Sequence, residues 1–527
     1  MMKTMTTAST LLGRGLVLSL ALTVATAEAA AEGTQTLSFP KSQPTNAVPV
    51  PPGFVSLGIE SAFLDNYANT FSENLVAALG DRMSVPLVIR IGGTSGDRLQ
   101  FDPNLKDTNK VCTKGECPFG SNAWFTLGPG YFDAFKSFKN AKWTIQAPLG
   151  DGTYNETQLL AYVKRAWDTA GQDRVHAIAL GNEPSVYWKT AKEYYDGAMK
   201  VQKTLVEALG LKGDERIFMV GESLNSAARS HKPYAVQEVF EAGFNSDAKV
   251  KYASEHYYQG QSTSFDIKTL QDDLMNHKTI TNALSGYLKS LNAVQPTNSD
   301  SGVSYILSET GSSIKAGTTL QYSSGFGAAL WSVDFQLAAM SRRIQRVVDT
   351  GRPIAKHAGW VPDASGNNGG PSVRPAFVAN MFVADFVGKD KARSVAEVLS
   401  DQAYASAYVM YDAASKKADR VALLNLRAWD KASNQDRGHQ TFAVLVAEGA
   451  GSVKVRRLHA DLGVWATGFD LGGAQENVTW AGEQWTYKVD QGKGHIVGGK
   501  LEERTVQVKD GKALVDVPDS EAVIVYL

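Results

Sequence analysis

Two glutamates in this chain stand where an apolar run breaks off. Ala177-Ile178-Ala179-Leu180 gives way to Gly181-Asn182-Glu183-Pro184, and Tyr305-Ile306-Leu307 gives way to Ser308-Glu309-Thr310-Gly311. A strand that ends so abruptly presents its first polar side chains at its mouth. Two such carboxyls can cleave a glycosidic bond with retention: one protonates the leaving oxygen and the other attacks the anomeric carbon, across about 5–5.5 Å. Environment divides the roles, because the acid must hold its proton and the nucleophile must stay ionised through hydrogen bonds. Taken singly, each glutamate reads equally well as a residue capping the next helix or pairing with a surface lysine. Glu222, at the end of another run, is the rival carboxylate or an electrostatic support for the same cleft.

The elements that must position these groups follow a β/α rhythm. Strands are expected at Val55–Glu60, Leu87–Gly92, Trp143–Pro148, His176–Gly181, Ile217–Glu222, Tyr252–Tyr257 and Tyr305–Glu309, with an eighth at Arg346–Asp349 or Lys356–Trp360. Glu156–Thr169, Ala191–Leu209 and Leu270–Leu291 between them carry apolar residues at helical spacing. Eight such units close a (β/α)8 barrel, whose catalytic residues lie at the C-terminal strand ends. Glu183 then falls on the fourth strand and Glu309 on the seventh, able to face each other across one cleft. An open dinucleotide-binding sheet would place a glycine-rich phosphate loop after its first strand, whereas Ile91-Gly92-Gly93-Thr94 follows the second without that spacing. From Val395 the texture changes to short alternating runs, among them Val421–Leu424, Gln440–Val446, Val453–Leu458 and Leu514–Val517, which predict an antiparallel β-sandwich. The expected division is a signal peptide at 1–30, a segment at 31–53 joining the sandwich through Thr34–Phe39, a catalytic barrel at 54–394 and the sandwich at 395–527. Gly366–Pro371 reads as an exposed loop near the end of the barrel.

With 53 basic and 54 acidic residues, the chain has no charge excess suited to gripping nucleic acid or an anionic membrane. Lys3 and Arg14 precede an apolar run from Gly15 to Thr26 and then small residues through Ala29. That run is shorter than the roughly 20 residues a membrane span requires, so it predicts a cleaved signal and a secreted protein with no membrane association afterwards. Cys112 and Cys117 are the only cysteines. They favour a local disulfide in an oxidising compartment over a metal site, which would want histidines nearby. Asn155-Glu156-Thr157 and Asn477-Val478-Thr479 fit the glycosylation pattern at Asn155 and Asn477. The eight histidines show no ligand spacing, and no metal, nucleotide or flavin is called for.

At these motifs the chain resembles glycoside hydrolase family 79, which holds heparanases and microbial β-glucuronidases. Asn182-Glu183-Pro184 and Ser308-Glu309-Thr310 look like the acid/base and nucleophile signatures. Arg90-Ile91-Gly92-Gly93-Thr94 with Phe101-Asp102-Pro103 is similar to the family's second-strand region, and His256-Tyr257-Tyr258 to its sixth. The resemblance implies a barrel with a β-sandwich built from both chain ends. It also implies Asn182 on the 2-hydroxyl of the sugar, Tyr258 or Tyr257 orienting Glu309, and Glu60 on sugar hydroxyls. Each of these has a plainer reading: a helix cap, a core tyrosine, a surface charge. The family places a tyrosine and glycines soon after the nucleophile to hold the substrate carboxylate. This chain has Ser312-Ser313-Ile314-Lys315 there, and Tyr322, Ser323 and Gly325 come later.

The expected activity is exo-acting release of β-linked glucuronic acid, with 4-O-methyl glucuronate as a variant substrate. An endo-acting heparanase type would want a basic cleft, and no basic cluster lies near the expected strand ends. Hydrolysis of another sugar would remove the need for a carboxylate-binding loop. A catalytically silent carbohydrate-binding protein would be favoured by loss of one carboxylate, and both are present. The oligomeric state is open.

Overall fold

A computed structural model describes residues 33–112, 124–150, 155–213, 215–224, 234–264, 266–297, 301–351, 355–364, 370–468 and 478–527. The signal-like segment, Cys117, Asn477 and most of the Gly366–Pro371 loop lie outside the described residues. No described helix is long and apolar enough to cross a membrane.

Eight parallel strands close into a barrel: β1 (Val55–Glu60), β2 (Leu87–Gly92), β3 (Ala141–Ala147), β4 (Val175–Leu180), β5 (Phe218–Leu224), β6 (Val250–Tyr258), β7 (Ser304–Gly311) and β8 (Val347–Gly351). Of the two segments considered for the eighth strand, the first closes the ring, pairing β7 on one side and β1 on the other. Trp360–Val361 instead forms a small antiparallel pair with Ser372–Val373. The strands are buried on both faces, which is why they read as near-continuous apolar runs. Ala179, Met219 and Ile306 form a separate apolar cluster with Tyr252, drawn from β4, β5, β7 and β6.

Helix Ala191–Leu209 has a capping box between Thr190 and Glu193 and ends at Gly210 in the left-handed conformation, so its bounds match the sequence pattern. The expected single helix over Leu270–Leu291 is instead Ile267–Asp273, His277–Ser285 and Leu288–Val294. Asn276 explains the first break, because its side chain accepts from the N–H groups of Lys278 and Thr279 and starts a new helix there.

The sandwich draws strands from both ends of the chain. Thr34–Thr36 runs parallel to His439–Leu445, and Val48–Val50 pairs antiparallel with Arg393–Leu399. Leu37 and Phe39 join Val421, Leu423, Phe442, Val515 and Val523 in its core. Between the barrel strands and the sandwich run helices Phe326–Ser341 and Pro375–Val387, apolar on nearly every face and buried almost throughout.

A charged clasp ties the barrel to the sandwich. His277 is fully buried, with Nδ1 2.8 Å from Asp334 and Nε2 2.8 Å from Glu397. Asp334 also accepts from Ser406 at 2.6 Å and Tyr408 at 2.7 Å, and Glu397 accepts from Arg342 at 2.9 Å. Burial alone would lower the imidazole pKa, but the two carboxylates outweigh it and raise it to about 10. A raised histidine pKa stabilises the fold fully below the unfolded value of about 6.5 and loses that contribution as pH climbs through the folded value. Denaturant melts between pH 6.5 and 10 are therefore expected to show stability falling with pH, with a flatter slope in His277→Gln. At neutral pH that variant is expected to lose about 3–5 kcal/mol, the cost of breaking a buried pair.

Candidate active site

The C-terminal ends of the strands gather six chemically active side chains around one buried cation. Arg90, in the middle of the apolar β2, is only 2% exposed. Its guanidinium reaches Glu222 on β5 at 2.6 Å, Asn182 at 2.8 Å and Glu309 on β7 at 3.2 Å. Burial works to strip its charge, but Glu222 and Glu309 beside it hold the proton in place. Burial likewise works to raise the pKa of Glu222, yet Arg90, His256 and Ser254 bring it down to about 2. His256 on β6 bonds Glu222 through Nε2 at 2.8 Å and faces Glu183 through Nδ1 at 3.3 Å. Desolvation is again overcome, here by Glu309, Glu183 and Glu222, and the imidazole rises to about 9.

Glu309 pairs with Arg90 and receives a 2.5 Å hydrogen bond from the Tyr258 hydroxyl. Against the penalty of burial, His256, Arg90 and this hydroxyl hold its carboxyl below the ordinary value, so it stands ready as an anion. Oxygens of Glu183 and Glu309 and a nitrogen of His256 all lie within 4.8 Å of one another. That carboxylate spacing suits direct attack on an anomeric carbon; an inverting pair stands about 6.5–9.5 Å apart to admit a water. The same three residues have the donor types of a metal site, but both His256 nitrogens already face carboxylates, Glu222 and Glu183, and Arg90 supplies positive charge beside Glu309.

Local backbone irregularities aim these groups. Beyond Leu180 the chain turns through Gly181 at φ +81° and Glu183 itself in the left-handed region at φ 43°, ψ 52°. The Glu183 N–H donates to the Glu222 carbonyl at 3.0 Å, and Pro184 opens the turn that follows. Glu222 is left-handed too, at φ 47°, beside a register shift between β5 and β6; a second shift lies between Glu255 and His256 opposite β7. Such bulges re-aim side chains at the rims of barrels. At the end of β2 glycines make room: a Cβ on Gly93 would lie 2.5 Å from the Glu60 carboxylate, and one on Gly92 2.7 Å from the Arg90 guanidinium.

Glu60, Asn182, Glu183, His256, Tyr258 and Glu309 are all brought to this cleft. Glu60 accepts from the Ser95 N–H at 2.6 Å. Asn182 gives its oxygen to Arg90, which turns its amide NH2 toward other partners. Of the two tyrosines considered for the nucleophile, Tyr258 takes the role. Tyr257 alternates to the outer face and stacks on Phe335 at 5.5 Å. The Tyr322 loop departs from its expected task. The Tyr322 hydroxyl donates to Asp273 at 2.7 Å, the Ser323 hydroxyl to the Thr319 carbonyl at 3.0 Å, and the Gly325 N–H to the Gln321 carbonyl at 2.9 Å. These donors serve a helical turn and its anchor rather than a ligand. Lys315 is exposed. Cys112 is disulfide-bonded, and Asn155 is an exposed helix N-cap accepting from Gln158 at 3.2 Å.

Sequence reading assigned no role to Arg90, Ser254, Asp97 or His357. Ser254 donates to Glu222 at 2.8 Å. Asp97 accepts from the N–H groups of Asn182 at 3.1 Å and Leu149 at 2.9 Å, tying the second strand's loop to the fourth strand's end. His357 packs its ring 5.3 Å from that of Tyr258 and donates to the Ser313 carbonyl at 3.0 Å. Arg90 did carry a signal, since a charge inside the run Leu87–Gly92 demands a buried partner.

Residues 407–524 match the glycosyl hydrolase family 79 C-terminal beta domain. Over 515 residues the chain is 27% identical to a beta-glucuronidase of Aspergillus niger, covering 91% of this chain and 92% of that one. A beta-glucuronidase of Neurospora crassa is 26% identical over 512 residues, 87% of this chain and 88% of the relative. Among solved structures, the 4-O-alpha-L-rhamnosyl-beta-D-glucuronidase of Fusarium oxysporum superposes with a TM-score of 0.76 at 20% identity, over 93% of this chain and all of that one, and so shares the fold. A Thermotoga maritima alpha-L-arabinofuranosidase shares it more distantly, with a TM-score of 0.59 at 12% identity over 92% of this chain and 98% of the other.

Removing the Tyr258 hydroxyl takes a donor from the charged form of Glu309, so its pKa must rise. In Tyr258→Phe the acid limb of the kcat/KM profile is expected to move to higher pH, with a loss of about tenfold at the optimum, equivalent to one charged hydrogen bond. An unmoved limb would take Tyr258 out of the nucleophile's support.

Proposed function

We propose that the chain is a glycoside hydrolase of family 79, a retaining exo-β-glucuronidase that releases β-linked glucuronic acid from glycans. The observation that carries the reading is the approach of Glu183 and Glu309 to within 4.8 Å, one just beyond β4 and one on β7, with Glu309 bonded to Arg90 and Tyr258. Relatives that align along nearly the whole chain are beta-glucuronidases, which supplies the sugar.

The geometry orders the steps. Glu309, ionised, attacks the anomeric carbon while Glu183 gives its proton to the departing oxygen, leaving the sugar esterified to Glu309. Arg90 stays with Glu222, whose buried negative charge limits how strongly the cation can hold the nucleophile back. Glu183, now an anion facing the His256 imidazolium, then takes a proton from water as the water displaces the sugar. Asn182, its orientation fixed by Arg90, offers its amide N–H to the 2-hydroxyl, where a hydrogen bond strengthens as positive charge develops on the ring. Export accompanies this reading, supported by the short apolar run after Lys3 and Arg14 and by the disulfide at Cys112.

Hydrolysis of p-nitrophenyl β-glucuronide is expected to exceed that of the β-glucoside and β-xyloside, with a 4-O-methyl glucuronide tested alongside. Glu183→Ala and Glu309→Ala are each expected to lose about 10²–10⁴-fold or more in turnover. Azide distinguishes the roles: it should give an α-glucuronyl azide with Glu309→Ala and a β-glucuronyl azide with Glu183→Ala. Cleavage of only the neutral glycosides would move the specificity to another sugar, and full activity in either variant would remove that residue from the mechanism.

A further inference from the structure

The loops on the acid/base side of the cleft carry a stacked group of side chains that the steps above leave unused. Tyr187 follows Glu183 by one short turn, Pro184–Val186. The Arg98 guanidinium lies 5.0 Å from the centre of the Tyr187 ring and 5.5 Å from that of Trp124. Trp124 is 49% exposed, although an indole is the largest apolar surface a side chain can offer to water. Its placement is fixed nonetheless. The Trp124 N–H donates to the Arg98 carbonyl at 2.6 Å, and its own carbonyl accepts from the N–H of the disulfide-bonded Cys112 at 2.7 Å. It leads directly into a strand, Phe125–Leu127, of a small sheet with Leu99–Phe101 and Asn109–Val111. Arg98 in turn follows Asp97, whose carboxylate holds the Asn182 N–H beside Glu183. An exposed aromatic ring is thus anchored to the same loop that positions the acid/base.

The direction of the reaction says what such a ring would meet. Glu183 hands its proton to the leaving oxygen, so the group on that oxygen must lie along Glu183's side of the cleft, away from Glu309. On that side Tyr187 lies one turn beyond Glu183, and the Arg98 guanidinium over its ring also lies over the exposed Trp124. We infer that Trp124, backed by Arg98 and Tyr187, is the platform on which the sugar ring of the leaving group stacks. The C–H face of a pyranose fits the flat indole, and the Arg98 cation 5.5 Å from that ring disfavours a cationic leaving group while suiting the hydroxyls of a neutral sugar.

This inference rests on the glucuronidase reading, and the test separates the two. The wild-type protein is assayed on methyl β-glucuronide, whose leaving group is too small to reach Trp124, and on a panel of disaccharides of β-linked glucuronic acid on glucose, the best-cleaved member being kept. In Trp124→Ala, kcat/KM on the disaccharide should fall about tenfold further than on the methyl glucuronide, mainly through KM. Trp124→Phe, which keeps a flat ring, should recover most of the difference. Equal changes on the two substrates in Trp124→Ala, or wild-type cleavage of the methyl glucuronide but no disaccharide, would overturn the platform and leave the glucuronidase reading standing. A wild-type protein that cleaves no glucuronide would bring down both.

Discussion

The site depends on a guanidinium buried where a charge has no business being unless anions surround it. Arg90 is 2% exposed at the centre of β2, and its companions Glu222 and Glu309 lie at 2.6 and 3.2 Å. Stripping such an ion of water costs several kcal/mol, recovered here through close pairing and the hydrogen bonds of its two terminal nitrogens. Much of the surrounding chain follows from that requirement. Gly92 must be glycine because a Cβ there would meet the guanidinium, Asn182 turns its oxygen toward Arg90, and Ser254 and His256 close around Glu222. Glu222, the rival carboxylate in the sequence, is fully buried with its charge committed to these partners. It is better suited to fix a field than to exchange protons.

The same network holds Glu309 as the ionised member of the pair. Glu309 is surrounded by donors and cations that favour its anion, while Glu183 stands at the end of a different strand with a left-handed backbone, 3.3 Å from His256. A left-handed glutamate costs roughly 1–2 kcal/mol relative to ordinary strand geometry. Bonds from the Glu183 N–H to the Glu222 carbonyl and from the Asn182 N–H to Asp97 keep it there. Glu183 and Glu222 share this left-handed backbone where two strands end at the cleft.

Fold and chemistry were legible to different depths. Strand runs buried on both faces announced the barrel, and the breaks after Leu180 and Leu307, on its fourth and seventh strands, together announced Glu183 and Glu309. What sequence could not convey was which neighbour each polar group had already taken. Tyr257 and Tyr258 are adjacent and chemically alike, and only the pleat, with the outer helix Phe326–Ser341 waiting for Tyr257, sends one outward and the other to Glu309. Tyr322 and Ser323 had the right chemistry for a carboxylate, yet Asp273 and Thr319, 49 and 4 residues away, had claimed their hydroxyls. Helix breaks behave likewise: the periodicity through Leu270–Leu291 is real, but Asn276 competes locally for the backbone N–H groups and resets the helix.

Among the described residues His256, His277 and His459 each sit between two carboxylates, and of these only His256 stands at the strand-end cleft. His277 bridges Asp334 and Glu397 just as His256 bridges Glu183 and Glu222, and both rings are driven toward the charged form. The chemistry of the two clusters is nearly the same; their access is not. Asp334 is fully buried and bonded to Ser406 and Tyr408, so its cluster can only hold the barrel against the sandwich. Glu183 and Glu309 keep 6% and 8% of their surface open at the strand ends, enough for each to present oxygen to a substrate atom and too little for bulk water to screen them. A charged histidine network becomes catalytic here because the barrel ends at its edge, and stays structural where a second sheet covers it.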